Sequence, residues 1–266
     1  MQYVRPVDLN AFPRDDFHSE FVADRTSGLD SCICIVTRVP PGKGSPWRPH
    51  THPADQLYYV LRGEMNARIG EREVVARPQD LVYIPAGVPH WNWNAGGEDE
   101  VHFELIAPQP PAGMQLAEPV DASAPAPSMT DVGIVRSLDE SRFAPDRWSQ
   151  VVLADRSSGV PSVSLGVFRV PPSGPSTSSG RSAIGRLHVH RFDQIYYVIS
   201  GRMRLQIGLE EHEAGPNTLV ILPAGMPHRS WNEGPEPELH LNLRVPKPAD
   251  PDMRTWDLTV QIGEAS

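Results

Sequence analysis

The chain has 266 residues, a formal net charge of −9 at pH 7 and only two cysteines. Without any Lys/Arg-rich run, this charge excludes the electrostatic pattern of a protein that binds nucleic acid or an anionic membrane surface. No apolar run reaches the roughly 18 to 20 residues that span a bilayer, and the first residues lack the apolar core of a signal peptide. We therefore expect a soluble, cytoplasmic protein whose partners are small molecules or other protein chains, with no nucleic acid and no membrane.

The first half of the chain contains short runs rich in β-branched and aromatic residues, separated by Gly and Pro. In chain order they are CICIVTRV, DQLYYVLRG, EMNARIG, DLVYIPAG and EVHFELIAP. Regularly spaced strands with turn signals at the joints are typical of an antiparallel barrel or sandwich. Long amphipathic helices are absent from the pattern, so the sequence predicts an all-β fold.

The second half repeats the first. DRTSG at Asp24–Gly28 recurs as DRSSG at Asp155–Gly159, and seven extra residues then enter within the Ser/Gly-rich stretch of residues 173–185. After that insertion the offset stays at 138, as from His50 to His188. A repeat of this length indicates two copies of one structural unit.

The segment between the two copies is rich in Pro and Ala and poor in large apolar residues. It reads APQPPAGMQLAEPVDASAPAPSMTD, which is the composition of an extended linker. The sequence therefore predicts an N-terminal domain over residues 1–107, a linker over 108–131 and a C-terminal domain over 132–266.

Each half carries two histidines two positions apart in an extended segment, HTHPADQ and HVHRFDQ. Period-two alternation sends both imidazoles to the same face of a strand. A glutamine follows four residues later, and a third histidine arrives from a distant hairpin through PAGVPH or PAGMPH. The two candidate ligand sets are His50, His52, Gln56 and His90, and His188, His190, Gln194 and His228.

Three imidazoles and one amide oxygen form a set that divalent transition metals accept. Zn, Fe, Mn, Co, Ni and Cu all take such ligands, and the sequence does not choose among them. We predict one divalent metal ion in each domain.

At these residues the chain resembles the cupin superfamily. Its two motifs read G(x)5HxH(x)3-4E(x)6G and G(x)5PxG(x)2H(x)3N, and both halves of the chain fit both motifs. The matching residues are Gly44, His50, His52, Gln56, Gly63, Pro85, Gly87, His90 and Asn94, then His188, His190, Gln194, Gly201, Pro223, Gly225, His228 and Asn232.

The resemblance implies two tandem cupin barrels, each a double-stranded β-helix or jelly roll, in the arrangement called a bicupin. Three opening glycines of the motifs are replaced, by Gln79, Ser182 and Asn217, which we interpret as variation within turns. Glutamine also replaces the glutamate ligand in both halves. A neutral ligand leaves the charge of the metal uncompensated and strengthens its attraction for an anionic ligand.

Strand parity suggests further residues around each metal. Arg48 and Arg186 lie two positions before the first histidines, where they could hold a substrate carboxylate or form an exposed salt bridge. The other pocket candidates are expected to face inward. Each could donate a proton, act as a general base, hydrogen-bond to a metal ligand or simply pack in the core. They are Tyr58, His102, Tyr196 and His240.

Three functions are compatible with these sites. The first is Lewis-acid catalysis of isomerisation, cyclisation or elimination on a small carbonyl or carboxylate metabolite, because the doubled ligand set resembles that of the bacilysin-pathway bicupin isomerase. The second is a dioxygenase with Fe, Ni or Cu, similar to quercetinase and gentisate dioxygenase. The third is a non-catalytic, pirin-like binding protein. The bicupin resemblance implies a monomer or a homodimer.

Overall fold

The computed structural model describes residues 2–121, 134–172 and 186–246, and the backbone of residues 256–257. Ser182 and the inserted stretch of residues 173–185 lie outside the described residues. The strands up to residue 121 are β1 (Val4–Pro6), β2 (His18–Ala23), β3 (Ile33–Val39), β4 (His50–Thr51), β5 (Asp55–Arg62), β6 (Met65–Ile69), β7 (Arg72–Ala76), β8 (Asp80–Ile84), β9 (His90–Trp93), β10 (Glu100–Ala107) and β11 (Glu118–Pro119).

The later strands repeat this order. They are β12 (Val135–Ser137), β13 (Ser149–Ala154), β14 (Ser164–Val170), β15 (His188–Val189), β16 (Asp193–Ser200), β17 (Met203–Ile207), β18 (Glu210–Ala214), β19 (Thr218–Leu222), β20 (His228–Trp231), β21 (Glu238–Val245) and β22 (Trp256–Asp257). The helical turns in the described residues are short 3-10 segments at Arg25–Ser27, Glu140–Arg142 and Arg156–Ser158. In the described part of the chain, no helix is both long and apolar enough to cross a bilayer.

Each barrel has one six-stranded and one five-stranded sheet. In the barrel built mainly from the first half of the chain the strand orders are β12-β8-β5-β10-β3-β2 and β11-β4-β9-β6-β7. In the barrel built mainly from the second half they are β1-β19-β16-β21-β14-β13 and β18-β17-β20-β15-β22. The prediction of an all-β chain with two tandem jelly-roll barrels is confirmed.

The described chain divides into two compact units that do not follow the repeat boundary strictly. The first contains Asp8–Glu140 and Val152–Leu165, and the second contains Gln2–Val7, Ser141–Val151 and Gly166–Ser266. Within the first unit β12 pairs with β8, and within the second unit β1 pairs with β19. The predicted boundaries at 107, 108, 131 and 132 stay a prediction, and residues 122–133 lie outside the described part.

The two barrels have matching apolar cores. Strands β6 and β17 alternate buried and half-buried residues, as a strand with one face on a core does. The first core contains Tyr58, Val60, Met65, Ala67, Ile69, Ala76, Val82, Ile84, Val88 and Ile134, and the second contains Tyr196, Val198, Met203, Leu205, Ile207, Ala214, Val220 and Leu222. Each of the eight residues of the second core lies 138 positions after a residue of the first core. Equivalent positions of the repeat thus build both cores.

Gln79 and Asn217 occupy turns where the family motif has glycine, and both have positive φ, at 75° and 59°. A left-handed conformation costs a glutamine about 1 kcal/mol relative to glycine, whereas asparagine tolerates it better. We expect Gln79→Gly to raise the free energy of unfolding by about 0.5–1 kcal/mol in urea titrations. The gain is reduced by loss of an exposed hydrogen bond from Gln79 Nε2 to Glu140.

Two variants control this prediction. Gln79→Ala loses the same hydrogen bond and keeps a Cβ, so it should be no more stable than the wild type. Asn217→Gly should give a smaller gain than Gln79→Gly, because the native asparagine is less strained and because its Oδ1 accepts a hydrogen bond from the Tyr197 hydroxyl at 3.3 Å. An equal gain from Gln79→Ala and Gln79→Gly would show that backbone strain is not the cause.

Candidate metal centres

Two short strands bring the histidines of the first barrel together. β4 and β9 pair antiparallel with His50 directly opposite His90, and His52 follows two residues after His50. Gln56 comes from β5 in the other sheet of the same barrel. The site is therefore built from both sheets.

The three imidazoles form a compact, buried group. Their ring centroids are separated by 5.0 Å (His50 to His52), 4.4 Å (His50 to His90) and 5.2 Å (His52 to His90). Each ring offers one nitrogen, and these three atoms lie within 4.8 Å of one another. Such a cluster could hold a metal ion.

Backbone carbonyls fix the orientation of these rings. Nδ1 of His52 lies 2.7 Å from the Leu116 oxygen and Nδ1 of His90 lies 2.8 Å from the Val88 oxygen, so each Nδ1 donates its proton. Nε2 of both rings and Oε1 of Gln56 are buried and have no hydrogen-bond partner among the described residues. Burying a polar atom without a hydrogen-bond partner costs folding free energy. A bound cation would give all three atoms a partner. The residues present therefore fit a metal ion.

The second barrel repeats the arrangement. His188 pairs with His228 across β15 and β20, and one ring nitrogen from each of His188, His190 and His228 again lies within 4.8 Å of the other two. Nδ1 of His228 donates to the Met226 carbonyl at 2.8 Å, while its Nε2 lies 3.0 Å from Oε1 of Gln194. In a neutral imidazole the second nitrogen carries a lone pair, and two facing lone pairs repel each other unless a cation lies between them.

Burial favours the neutral form that a metal requires in five of the six imidazoles. It lowers the pKa of His52 and that of His228 to about 4, with smaller effects from neighbouring histidines. Burial, with charges on His228, His188 and Arg244, lowers the pKa of His190 to about 3. The pKa of His50 and of His90 is also lowered by burial.

A row of buried polar side chains runs away from Gln56 in the first barrel. Gln56 Nε2 donates to the carboxylate of Glu104, while its Oε1 is buried without a hydrogen-bond partner among the described residues. Glu104 Oε2 lies 3.9 Å from Nε2 of His102, and Nδ1 of His102 lies 2.9 and 3.0 Å from the two carboxylate oxygens of Glu100. Burial raises the pKa of Glu104, although His102 and Gln56 oppose the change.

The corresponding row in the second barrel lacks one carboxyl group. Gln194 Nε2 donates to Asn242 Oδ1 at 3.1 Å, where the first barrel has Glu104. The pair of His240 with Glu238 is kept, at 2.9 and 3.0 Å. The two sites therefore share their candidate ligands and differ in the residues behind them.

The other pocket candidates differ in burial, since the two tyrosines are buried and the two arginines are exposed. Tyr58 and Tyr196 are buried, and each ring centroid lies 4.7 Å from that of His102 or His240. Arg48 and Arg186 are exposed, and Arg48 Nε donates to the Ser45 carbonyl at 3.3 Å. β4 begins at His50 and β15 at His188, so strand parity does not extend back to either arginine.

Sequence reasoning missed three residues. Glu100 and Glu238 are buried partners of the histidines two positions later, and Arg244 follows Asn242 by two positions on β21. The spacing Glu-x-His in both halves was the available signal, because alternate residues of a strand share one face. Nothing in the repeat predicted Arg244, because the matching position holds Ile106.

Comparison with known proteins gives matches over both halves. The Cupin domain family matches residues 35–106 and 167–243. Germin-like protein subfamily 1 member 7 of Arabidopsis thaliana is 28% identical over 140 residues, or 46% of this chain and 60% of the relative. The chain thus matches less than two thirds of the length of that relative.

Solved structures similar to this one include two bacterial proteins. The putative glyoxylate induced protein of Pseudomonas aeruginosa has a TM-score of 0.65 at 17% identity, with 90% of this chain and 85% of that chain covered. Oxalate decarboxylase of Bacillus subtilis, which has Mn(II) centres, has a TM-score of 0.64 at 14% identity, with 96% and 79% covered. At these identities the likeness shows the fold alone.

Proposed function

The chain belongs to the Cupin domain family, and from its paired histidine sites we propose that it is a metal-dependent bicupin enzyme acting on a small oxygenated metabolite. One observation carries the proposal. In each barrel three buried imidazoles offer nitrogen atoms that lie within 4.8 Å of one another, and in the second barrel Oε1 of Gln194 lies 3.0 Å from Nε2 of His228. A small-molecule substrate and a monomeric or homodimeric state are parts of the same proposal.

The chemistry we propose is isomerisation, cyclisation or elimination at a carbon next to a carbonyl or carboxylate group. A divalent metal held by the candidate ligands would supply Lewis acidity toward an oxygen of the substrate. The doubled His-His-Gln-His set supports this assignment through its resemblance to the bacilysin-pathway bicupin isomerase. The neutral glutamine ligand supports it too, since it leaves more positive charge for an anionic substrate than glutamate would.

The residues of the first barrel have defined tasks in this proposal. Gln56 Nε2 is held by Glu104, which leaves its buried Oε1 for the metal ion. A proton taken from the substrate would be received by a carboxylate oxygen of Glu104, whose Oε2 lies 3.9 Å from Nε2 of His102. Tyr58 packs on His102, and burial, with Glu104 and Glu100, raises the pKa of Tyr58, so its hydroxyl stays protonated and acts only as a hydrogen-bond donor or acid.

Elemental analysis of protein purified without added metal tests the metal requirement. We expect two equivalents of a divalent transition metal per chain, and the loss of one equivalent in each of His90→Ala and His228→Ala. His212→Ala is the matched control, because His212 lies on β18 outside both triads and should leave both equivalents in place. The absence of metal from the wild type, or its retention in both triad variants, would contradict the proposal.

Oxygen consumption then separates the proposed chemistry from the alternatives. A Lewis-acid isomerase or lyase should turn over an enolisable keto acid without consuming O2, and zinc should support the reaction. Consumption of O2 with iron, copper or nickel would instead identify a dioxygenase of the quercetinase or gentisate type. Metal that changes only the stability of the protein would favour a non-catalytic, pirin-like binding protein.

A further inference from the structure

Asn92 lies on the same strand as a candidate metal ligand of the first barrel. Strand β9 alternates buried and half-buried residues, so His90 and Asn92 both face the inside of the barrel. They are 1% and 2% exposed. The Asn92 carbonyl oxygen accepts a hydrogen bond from the Ser45 amide at 2.9 Å, which fixes the backbone at this position.

The side-chain amide of Asn92 differs from that of Asn94 in its hydrogen bonds. Nδ2 of Asn94 donates to the carbonyl groups of Val39 and Glu98 at 2.8 and 2.7 Å, and its Oδ1 accepts from the Gly96 amide at 2.8 Å. Nδ2 of Asn92 is buried and has no hydrogen-bond partner among the described residues. Almost every buried polar group in a folded protein is hydrogen-bonded, so this donor calls for an acceptor that is not part of the described chain.

The second barrel has a different group at the equivalent position. Ser230 replaces Asn92, and it has the side chain of Tyr196 as a hydrogen-bond partner. The residue opposite in the neighbouring strand changes in the reverse sense, from Ala67 beside Asn92 to Leu205 beside Ser230. Filling space does not explain the amide, because an apolar side chain would fill it without burying a polar group.

The unpartnered buried atoms on this side of the first barrel are of two kinds. Nε2 of His52, Nε2 of His90 and Oε1 of Gln56 present lone pairs, which a cation satisfies. Nδ2 of Asn92 presents a proton, which an oxygen acceptor satisfies. A small molecule with two neighbouring oxygens, such as a 2-oxo acid, offers one oxygen to the cation and another to the amide.

We propose that Asn92 is a substrate-binding residue of the first barrel, which donates a hydrogen bond from Nδ2 to an oxygen of a small oxo acid, and that the second barrel lacks this contact. The inference rests on the proposed function, because it takes the first triad to hold a metal ion. It narrows the substrate class to molecules with a carboxylate or carbonyl acceptor beside the oxygen that the metal attracts. A buried donor of this kind discriminates against analogues without the acceptor, because they leave the donor unpaired.

Calorimetric titration of the zinc-loaded protein with pyruvate tests the inference. Asn92→Ala should weaken pyruvate binding at one of the two sites roughly 10-fold, the loss of a hydrogen bond to a charged acceptor. Asn92→Asp keeps the shape without the N–H donor and should weaken binding at least as much, whereas Asn92→Gln keeps the amide and should fall between the wild type and Asn92→Ala. Asn66→Ala is the matched control, because Asn66 lies on the half-buried face of β6 and accepts from the Ala95 amide, so pyruvate affinity should not change.

Imidazole separates the loss of this contact from damage to the metal centre. It binds a metal through nitrogen and offers no oxygen to the amide, so its affinity should be the same in the wild type and in Asn92→Ala. Equal losses of pyruvate and imidazole affinity would show that the substitution acts on the metal, and would overturn the inference. Circular dichroism checks each variant, and Asn92→Ser, which installs the residue of the second barrel, takes the place of Asn92→Ala if the latter does not fold.

Zinc content measured on the same samples separates this inference from the proposed function. Unchanged pyruvate affinity in both Asn92→Ala and Asn92→Asp with zinc bound would assign the amide to a buried water. That result would overturn the substrate contact and leave the metal proposal standing. Failure of the wild type to take up zinc would overturn the proposed function, and the inference that depends on it would fail with it.

Discussion

Replacing Gly63 with alanine is expected to lower the free energy of unfolding by about 3 kcal/mol, the sum of two separate costs. Gly63 has φ 71°, a region in which a side chain is strained. A Cβ at this position would also collide with the backbone of the segment before β10, meeting the Asp99 carbonyl oxygen and lying 2.8 Å from the Glu100 Cα atom. Backbone atoms within a sheet cannot move aside as the end of a flexible side chain can, so the clash forces the strand to shift.

Gly87→Ala is the matched control for this change. Gly87 has a similar φ of 76°, and no described atom outside its immediate neighbours lies within 4 Å of a Cβ built there. Its substitution therefore carries only the conformational cost, about 1 kcal/mol. Urea unfolding followed by circular dichroism measures the free energy of unfolding of both variants. If both lose the same amount, the clash of a Cβ with the neighbouring backbone is not the reason for glycine at position 63.

The fold and the candidate ligands could be predicted because both depend on patterns of residues close together in the sequence or repeated along it. The constant offset of 138 after the insertion carries the barrel architecture, and His50 and His52 are two positions apart, as residues on one face of an extended segment are. Motif positions occupied by Gln79 and Asn217 were rightly read as turns, since both have positive φ. These features depend on neighbouring residues and need no knowledge of tertiary contacts.

Residues whose role depends on a partner distant in sequence were harder to foresee. Arg48 was expected on the face of His50, but β4 begins only at His50 and the arginine is exposed. Arg244 was not considered, because its place beside His190 depends on pairing between β16 and β21. The pairing of β1 with β19 and of β12 with β8 also joins segments that are distant in sequence.

Glu100→Gln is expected to lower the free energy of unfolding by about 3 kcal/mol at pH 6, the cost of breaking a buried ion pair. Glu100 and His102 are 0% and 1% exposed, and both carboxylate oxygens lie within 3.0 Å of Nδ1 of His102. Burial disfavours the charged imidazole, yet the carboxylates of Glu100 and Glu104 raise the pKa of His102 above its ordinary value. Without the negative charge of Glu100, protonated His102 would be left buried beside a neutral amide.

The pH dependence of this loss follows from the direction of the shift. A histidine whose pKa is raised in the folded state contributes its full stabilisation below the unfolded value, near 6.5, and loses it as the pH rises through the folded value. The difference between wild type and Glu100→Gln should therefore be largest at pH 6 and clearly smaller at pH 9, in urea titrations at both pH values. Glu98→Gln removes an exposed carboxylate of the same segment and should change stability little at either pH. A loss for Glu100→Gln that is the same at pH 6 and pH 9 would mean that His102 is neutral throughout, and the buried row behind Gln56 would then be held by uncharged hydrogen bonds.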